Sequence, residues 1–226
     1  MSFNNGPTIV TNGLILALDA GDRNSYVSGS TTWFDLAGSN NGTLVNGPTF
    51  NTGSGGSIVF DGTNDYVVGT LTVPSSFTFS VTLKPTSFTQ WSPEFNIWPN
   101  YPSGNRGWDI FCIHSGNVGS TGIYAGTDVG TRWSPLETEG MYILNELQTI
   151  TFTHSNGTSM LYRNGVLKYQ KAQNSPLYTG QTKYYTLFCN PTYGTGELYT
   201  SQIYNRALSA QEVLQNYNAT KGRFGL

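Results

Sequence analysis

The sequence predicts an all-β fold of two packed antiparallel sheets, a sandwich or jelly roll, with one short C-terminal helix. Three observations carry that prediction. Gly, Thr, Ser and Asn make up 98 of the 226 residues, whereas Asp, Glu, Lys and Arg supply only 11%, against roughly 25% in ordinary soluble domains. Small polar residues of this kind populate turns and the solvent faces of strands. The chain also holds 31 aromatic residues, 14 Tyr, 12 Phe and 5 Trp, which is enough apolar surface to offset the ordering entropy that keeps polar chains disordered. Finally, apolar and polar residues alternate with a period of two, most plainly in Phe77-Thr78-Phe79-Ser80-Val81-Thr82-Leu83, where Phe77, Phe79, Val81 and Leu83 share one face.

The same alternation predicts strands at 57–60, 66–68, 108–114, 147–154, 186–189 and 197–204, separated by clusters of Gly, Asn and Pro. Asn164-Gly165 supplies the two positive φ angles of a type I′ turn, so Tyr162-Arg163 is expected to pair with Val166-Leu167. Residues 208–218 read as a helix with Ser209 as N-cap, Glu212 completing a capping box, and Leu208 and Val213 forming a hydrophobic staple. Val213, Leu214 and Tyr217 give this helix an apolar face, and Gly222 is the expected stop.

Residues 1–226 fit one domain, since sandwiches run to roughly 200–250 residues as a unit. With 11 basic and 13 acidic side chains, bulk charge gives nucleic acid no reason to bind. No stretch approaches the ~20 apolar residues of a membrane helix, so no membrane partner is expected. The start, Met1-Ser2-Phe3-Asn4-Asn5-Gly6-Pro7, has neither a basic nor an apolar leader region, and no secretory signal is expected. Cys112 and Cys189 lie among apolar neighbours and read as core residues, too few for a disulfide framework or a zinc site.

Four segments in order resemble the laminin G-like branch of the concanavalin A-like lectin/glucanase superfamily. They are Ser57-Ile58-Val59-Phe60-Asp61-Gly62-Thr63-Asn64-Asp65-Tyr66-Val67, the strand from Phe77 to Leu83, Leu161-Tyr162-Arg163-Asn164-Gly165-Val166, and Ile203-Tyr204-Asn205-Arg206-Ala207-Leu208-Ser209 through Glu212. The resemblance implies a jelly roll of two antiparallel sheets. Gly13-Leu14-Ile15-Leu16-Ala17-Leu18-Asp19-Ala20-Gly21 and Lys221-Gly222-Arg223-Phe224-Gly225-Leu226 look like the form of this domain found in tailed-bacteriophage virion proteins. That likeness implies a non-catalytic virion-surface protein, a capsid decoration or cement protein, bound to the major capsid or tail protein and to itself as a homo-oligomer. Virion proteins are made in the host cytoplasm and leave by lysis, which agrees with the absent signal. The alternative is a carbohydrate-binding adhesin for host-surface glycans, lectin-like and Ca²⁺-dependent or not; a glycoside hydrolase is the remote third.

Glucanases of this superfamily resemble one another in an acidic strand motif, Glu-x-Asp-x-x-Glu, and no segment here matches it. Glu137 and Glu139 are close in sequence but sit in Ser134-Pro135-Leu136-Glu137-Thr138-Glu139-Gly140, which reads as a loop, whereas retaining hydrolysis needs two carboxyls about 5–5.5 Å apart. No enzyme is expected. His114 and His154 are too isolated for a zinc site; His154 reads as a partly exposed strand-end residue, and the sequence leaves a Ser-His-Asp arrangement open.

Asp61, Asn64 and Asp65 form an oxygen-rich loop of the kind that holds Ca²⁺ in laminin G-like domains, although the same residues also stabilise tight turns. Asp19 and Asp22 would join them if the first strand ended nearby. The segment from Trp91 to Trp108 concentrates Trp and Pro, and Trp91, Trp98, Tyr101, Arg106 and Trp108 are the candidate contacts to a glycan or a protein. Trp98 and Trp108 read equally well as core residues of the bounding strands.

Overall fold

The computed structural model describes residues 7–87, 96–98, 112–113, 123–126, 132–133, 138–174, 179–189 and 193–226. Its strands are β1 (Leu14–Asp19), β2 (Thr32–Trp33), β3 (Gly42–Val45), β4 (Thr49–Asn51), β5 (Ser57–Asp61), β6 (Tyr66–Thr72), β7 (Phe77–Pro85), β8 (Asn96–Trp98), β9 (Cys112–Ile113), β10 (Ile123–Gly126), β11 (Arg132–Trp133), β12 (Gln148–Ser155), β13 (Thr158–Arg163), β14 (Val166–Ala172), β15 (Thr182–Leu187) and β16 (Thr195–Tyr204), followed by helix α1 (Ala210–Phe224). The larger sheet has the order β14-β13-β12-β7-β16-β5-β4, and β1 shares the β5 edge of β16. Thr195 to Leu198 of β16 pair with β5, and Thr200 to Tyr204 pair with β1. The smaller sheet runs β2-β3-β6-β15-β8, and β9, β10 and β11 form a ribbon. The chain is the two-sheet antiparallel sandwich that its periodicity predicts.

Alternation decides what fills the space between the sheets. Phe77, Phe79, Val81 and Leu83 of β7 and Ile150 and Phe152 of β12 meet Leu44, Val67, Leu71, Tyr185 and Leu187 of the smaller sheet in one apolar core. The opposite face of β7 and β12 carries Ser80, Thr82, Thr149 and Thr151, which are also buried because α1 lies over them. Buried hydroxyls need partners, and these supply each other: Ser80 to Thr151 at 2.8 Å and Thr82 to Thr149 at 3.0 Å.

The capping box at Ser209 and Glu212 forms as expected. Leu208 and Val213 pack with Tyr162 and Tyr204 in a second apolar cluster, and the hairpin pairs Tyr162 with Leu167 and Arg163 with Val166. The helix continues past Gly222, however, to Phe224, and Gly225 ends it at φ 74°. Tertiary contact overrides the glycine: the Phe224 ring meets Tyr199 edge-on at 5.5 Å, and Arg223 grips Asp19 with two hydrogen bonds of 2.6 and 2.8 Å. The buried stripe also differs, for Leu214 is 43% exposed while Asn216 is buried. Asn216 is held in a ring of hydrogen bonds: its amide donates to Tyr204 OH, Tyr204 OH donates to the Val10 carbonyl, and the Val10 N–H returns to Asn216 Oδ1.

His154 is 1% exposed rather than partly open. It stacks on Phe77 with ring centroids 5.7 Å apart, and its Nδ1 lies 2.9 Å from Ser159 Oγ. Ser159 spends its one hydroxyl proton on Gln173 Oε1 at 2.9 Å, so the imidazole must be the donor through Nδ1. The proton therefore runs from histidine to serine, opposite to the direction that would activate a nucleophile. Burial holds the His154 pKa below its ordinary value. The unfolded chain then takes up a proton, from about pH 6.5 downward, that the folded chain refuses. Stability is expected to be steady above that pH and to fall as pH drops below it, and urea midpoints at pH 7.5 and 5.5 should differ less in His154→Gln than in the wild type. An equal difference in both would assign the slope to another group.

Candidate functional site

The Asp61 loop joins β5 to β6. Asp61 Oδ1 accepts the Thr63 N–H at 2.8 Å and, at the long limit of 3.5 Å, that of Asn64. These amides hold the Asp61 carboxyl below its usual range, while burial and the neighbouring Asp61 charge raise that of Asp65, which is 5% exposed and accepts from the Asp61 N–H at 3.4 Å. Both carboxylates serve the turn's own backbone. Ca²⁺ wants six to eight oxygens, and among the described residues no group of three or more acidic, His or Cys side chains converges. Asp19 does not approach: it pairs with Thr200 whereas Asp61 pairs with Thr195, a separation of roughly 15 Å along a strand. Its carboxylate is taken by Arg223.

Trp91, Tyr101, Arg106 and Trp108 lie outside the described residues, and of Trp98 the structure gives the backbone register, opposite Tyr184. Tyr184 is 42% exposed. It belongs to the outward rows of the smaller sheet, with Thr182 exposed on the same strand, Thr43, Thr70 and Thr72 exposed on β3 and β6, and the Thr72 and Thr182 hydroxyls 3.2 Å apart. Among the described residues the result is an uncharged face of hydroxyls around one tyrosine ring.

A more enclosed site lies where β1 and β4 end. The chain leaving β1 turns tightly at Asp22, whose carbonyl accepts the N–H groups of Ser25 and Tyr26, and Ser25 Oγ ties the turn to the Phe34 carbonyl at 2.6 Å. The turn thereby sets Tyr26 against Phe50 of β4 at 5.4 Å and edge-on to Trp33 at 6.3 Å. Tyr26 OH donates to the Ser30 carbonyl at 3.2 Å, which fixes the ring. On one side of this aromatic wedge is a cleft of about 540 Å³ bordered by Gly21, Arg23, Val27, Thr52, Gly55 and Gly56; on the other is one of about 480 Å³ bordered by Ser30, Thr31, Asn46, Gly47, Pro48 and Thr49. Tyr26, Ser28 and Phe50 line both. A Cβ on Gly21 would collide with the Gly55 carbonyl, so glycine lets the two backbone segments close the floor. Among the described residues, neither lining contains a carboxylate.

Sequence reasoning missed this site. Tyr26 and Phe50 are single aromatics in Gly- and Ser-rich turns, and no periodicity or spacing links residues so far apart; the dense glycine around 47–56 is the only local hint.

Several of the described carboxylates are occupied elsewhere. Glu197 accepts from Ser57 at 2.7 Å, Asn51 at 3.1 Å and Tyr199 at 3.1 Å, and its charge, with burial the larger cause, pushes the Tyr199 hydroxyl up to about 12. Glu212 pairs with Arg206 and Glu146 with Arg163. Asp35 accepts the N–H groups of Ala17, Ala37 and Asn40 at 2.8 to 3.0 Å. Glu139 is exposed, and Glu137 lies outside the described residues.

Two antiparallel sheets around one apolar core, with a single helix on the outer face, place the chain among the jelly-roll β-sandwich proteins. Residues 52–214 match the Laminin_G_3 family of the concanavalin A-like lectin/glucanases superfamily, and the chain belongs to that family. No curated protein matches its sequence. Among solved structures, it is similar to domain 4 of AbnA, a GH43 extracellular arabinanase from Geobacillus stearothermophilus, in complex with arabinotriose, at 18% identity and a TM-score of 0.68, with 90% of this chain and 98% of that domain covered. It is also similar to Trypanosoma rangeli sialidase (13% identity, TM-score 0.68) and to the binding domain of botulinum neurotoxin serotype D (16%, 0.64). It covers 96% and 92% of itself in these two matches but spans only 35% of the sialidase and 52% of the toxin domain. At such identities the likeness is one of fold.

Proposed function

We propose that this chain is a non-catalytic carbohydrate-recognition domain carried on a virion surface, with the paired clefts at Tyr26 and Phe50 as its binding site. The observation that carries the reading is the cleft pair itself: a partly open aromatic ring flanked by hydroxyls and backbone amides is the chemistry that takes the apolar face and the hydroxyl rim of a sugar. The arabinotriose bound to the structurally similar arabinanase domain supports it by analogy of fold alone. That no described carboxylate faces either cleft supports a binding rather than a hydrolytic role. The virion setting, with a capsid or tail protein and further copies of the chain as partners, rests on the terminal segments that resemble phage virion domains.

A glycan array probed with the purified domain tests the site. Phe50→Ala is expected to weaken retention of the bound glycan about tenfold, on the ~0.5–1.5 kcal/mol scale of ring stacking, in protein whose circular dichroism shows it folded at the assay temperature, although its thermal midpoint falls because the ring also packs on the core; full retention by the folded variant would remove the clefts as the site.

A second reading, decoration of the capsid through protein contacts, is favoured by the uncharged outer face of the smaller sheet around Tyr184. Immunogold labelling and mass spectrometry of purified particles separate the two. A few copies at the tail tip fit glycan adhesion, hundreds over the shell fit decoration, and absence from particles would sink the virion setting.

A further inference from the structure

We infer that the cleft pair selects an anionic glycan, one bearing a carboxylate or sulfate, and that Arg23 is the residue that binds the charged group. This rests on the cleft pair being the glycan site and adds the ligand's class to it.

The argument begins with where the arginines are used. Arg163, Arg206 and Arg223 each hold a carboxylate, that of Glu146, Glu212 and Asp19 respectively. Arg23 is the exception among the arginines whose side chains are described: it is exposed and makes no ion pair or hydrogen bond, yet it borders the larger cleft. In a chain with only 11 basic residues, a cation at a cleft mouth without a partner is a specific feature.

Among the described residues no carboxylate forms an ion pair with Arg23. Among the described residues no Asp or Glu lines either cleft. Asp22, its neighbour in sequence, accepts the Asn24 N–H through Oδ1 at 2.8 Å and forms no ion pair with Arg23. Asp19, two residues before Gly21, is neutralised by the two-pronged contact from Arg223. The cleft therefore presents one positive charge, the partly open Phe50 ring backed by the buried Tyr26, and the Ser28 and Thr52 hydroxyls. A guanidinium offers parallel N–H donors matched to two oxygens of a carboxylate or sulfate, the Phe50 ring takes the apolar face of the pyranose, and the hydroxyls take its polar rim. A neutral sugar would leave Arg23 unused.

The test compares the wild type, Arg23→Ala and Arg23→Lys by calorimetry against four probes: a glucuronate-containing oligosaccharide, its carboxyl-reduced counterpart, a sialylated oligosaccharide and a sulfated one. Binding is expected for one or more of the anionic probes, at least tenfold weaker after Arg23→Ala, intermediate after Arg23→Lys, and weakened as much by carboxyl reduction of the ligand as by loss of the arginine. The carboxylated and sulfated probes tell the two anionic groups apart. Arg23 is solvent-exposed and lies outside the core, so an unchanged thermal midpoint will show that the variants are folded. Binding of the carboxyl-reduced probe as tightly as the acid, with loss on Phe50→Ala, overturns the inference while leaving the cleft a glycan site. Anionic binding that is indifferent to Arg23→Ala overturns it as well. No binding by any probe, anionic or neutral, removes the glycan reading itself.

Discussion

Phe79→Ala is expected to cost about 3–5 kcal/mol, the range for truncating a buried phenylalanine, out of the 5–15 kcal/mol that holds a typical domain together. Phe79 is fully buried at the middle of β7, the strand that joins the two halves of the larger sheet. Its register partners are Phe152 on β12 and Ile203 on β16, so the ring is flanked on both sides by core residues. Urea unfolding should show a large drop in midpoint, or a variant already unfolded in buffer. Thr70→Ala, on an exposed position of β6, should stay near the wild type. A loss below about 1 kcal/mol for Phe79→Ala would mean that the sheets do not pack through this face.

Gly69→Ala is the second large effect, and its sign is opposite to propensity, since alanine is ordinarily no worse than glycine in a strand. Gly69 pairs directly with Tyr185 across β6 and β15, and the tyrosine ring lies over the glycine. An added Cβ would stand 2.5 Å from Tyr185 Cε1 and from its hydroxyl oxygen, closer than van der Waals contact allows. The ring has nowhere to go, because Tyr185 is fully buried and its hydroxyl donates to the Asn40 carbonyl at 2.9 Å. A cost of about 2–3 kcal/mol follows from overpacking of this kind. In a Tyr185→Leu background the same substitution should cost far less, a coupling that a double-mutant cycle measures directly. Additive costs would show that the clash is not the cause.

Much of this architecture was legible because its signals are local. The period-two run from Phe77 to Leu83 becomes the central strand of the larger sheet, the Asn164-Gly165 pair becomes the hairpin turn with both φ angles positive, and the Ser209 and Glu212 capping box closes as expected. Each depends on residues within a few positions of one another, so backbone sterics and short hydrogen bonds settle it before the chain collapses. Where distant residues intervene, local reading fails. Gly222 does not stop the helix because Phe224 has Tyr199 to pack against and Arg223 has Asp19 to hold. His154 is buried because Ser159 of β13 meets its ring and is itself held by Gln173 in the turn after β14, giving a polar ring the partner it needs away from water.

The candidate site divides in the same way. The Asp61 loop was visible as an oxygen-rich turn, and the structure supplies its internal hydrogen bonds. The clefts at Tyr26 and Phe50 left no pattern in the sequence. What the sequence by itself determined is the class of fold, through alternation, turn chemistry and a helix cap, all of which act over a few residues. Only the tertiary structure decided which aromatic rings come to line a cleft, that Arg23 is left without a carboxylate among the described residues and that His154 is sealed from water, because those outcomes depend on contacts between segments whose order along the chain says nothing of their distance in space.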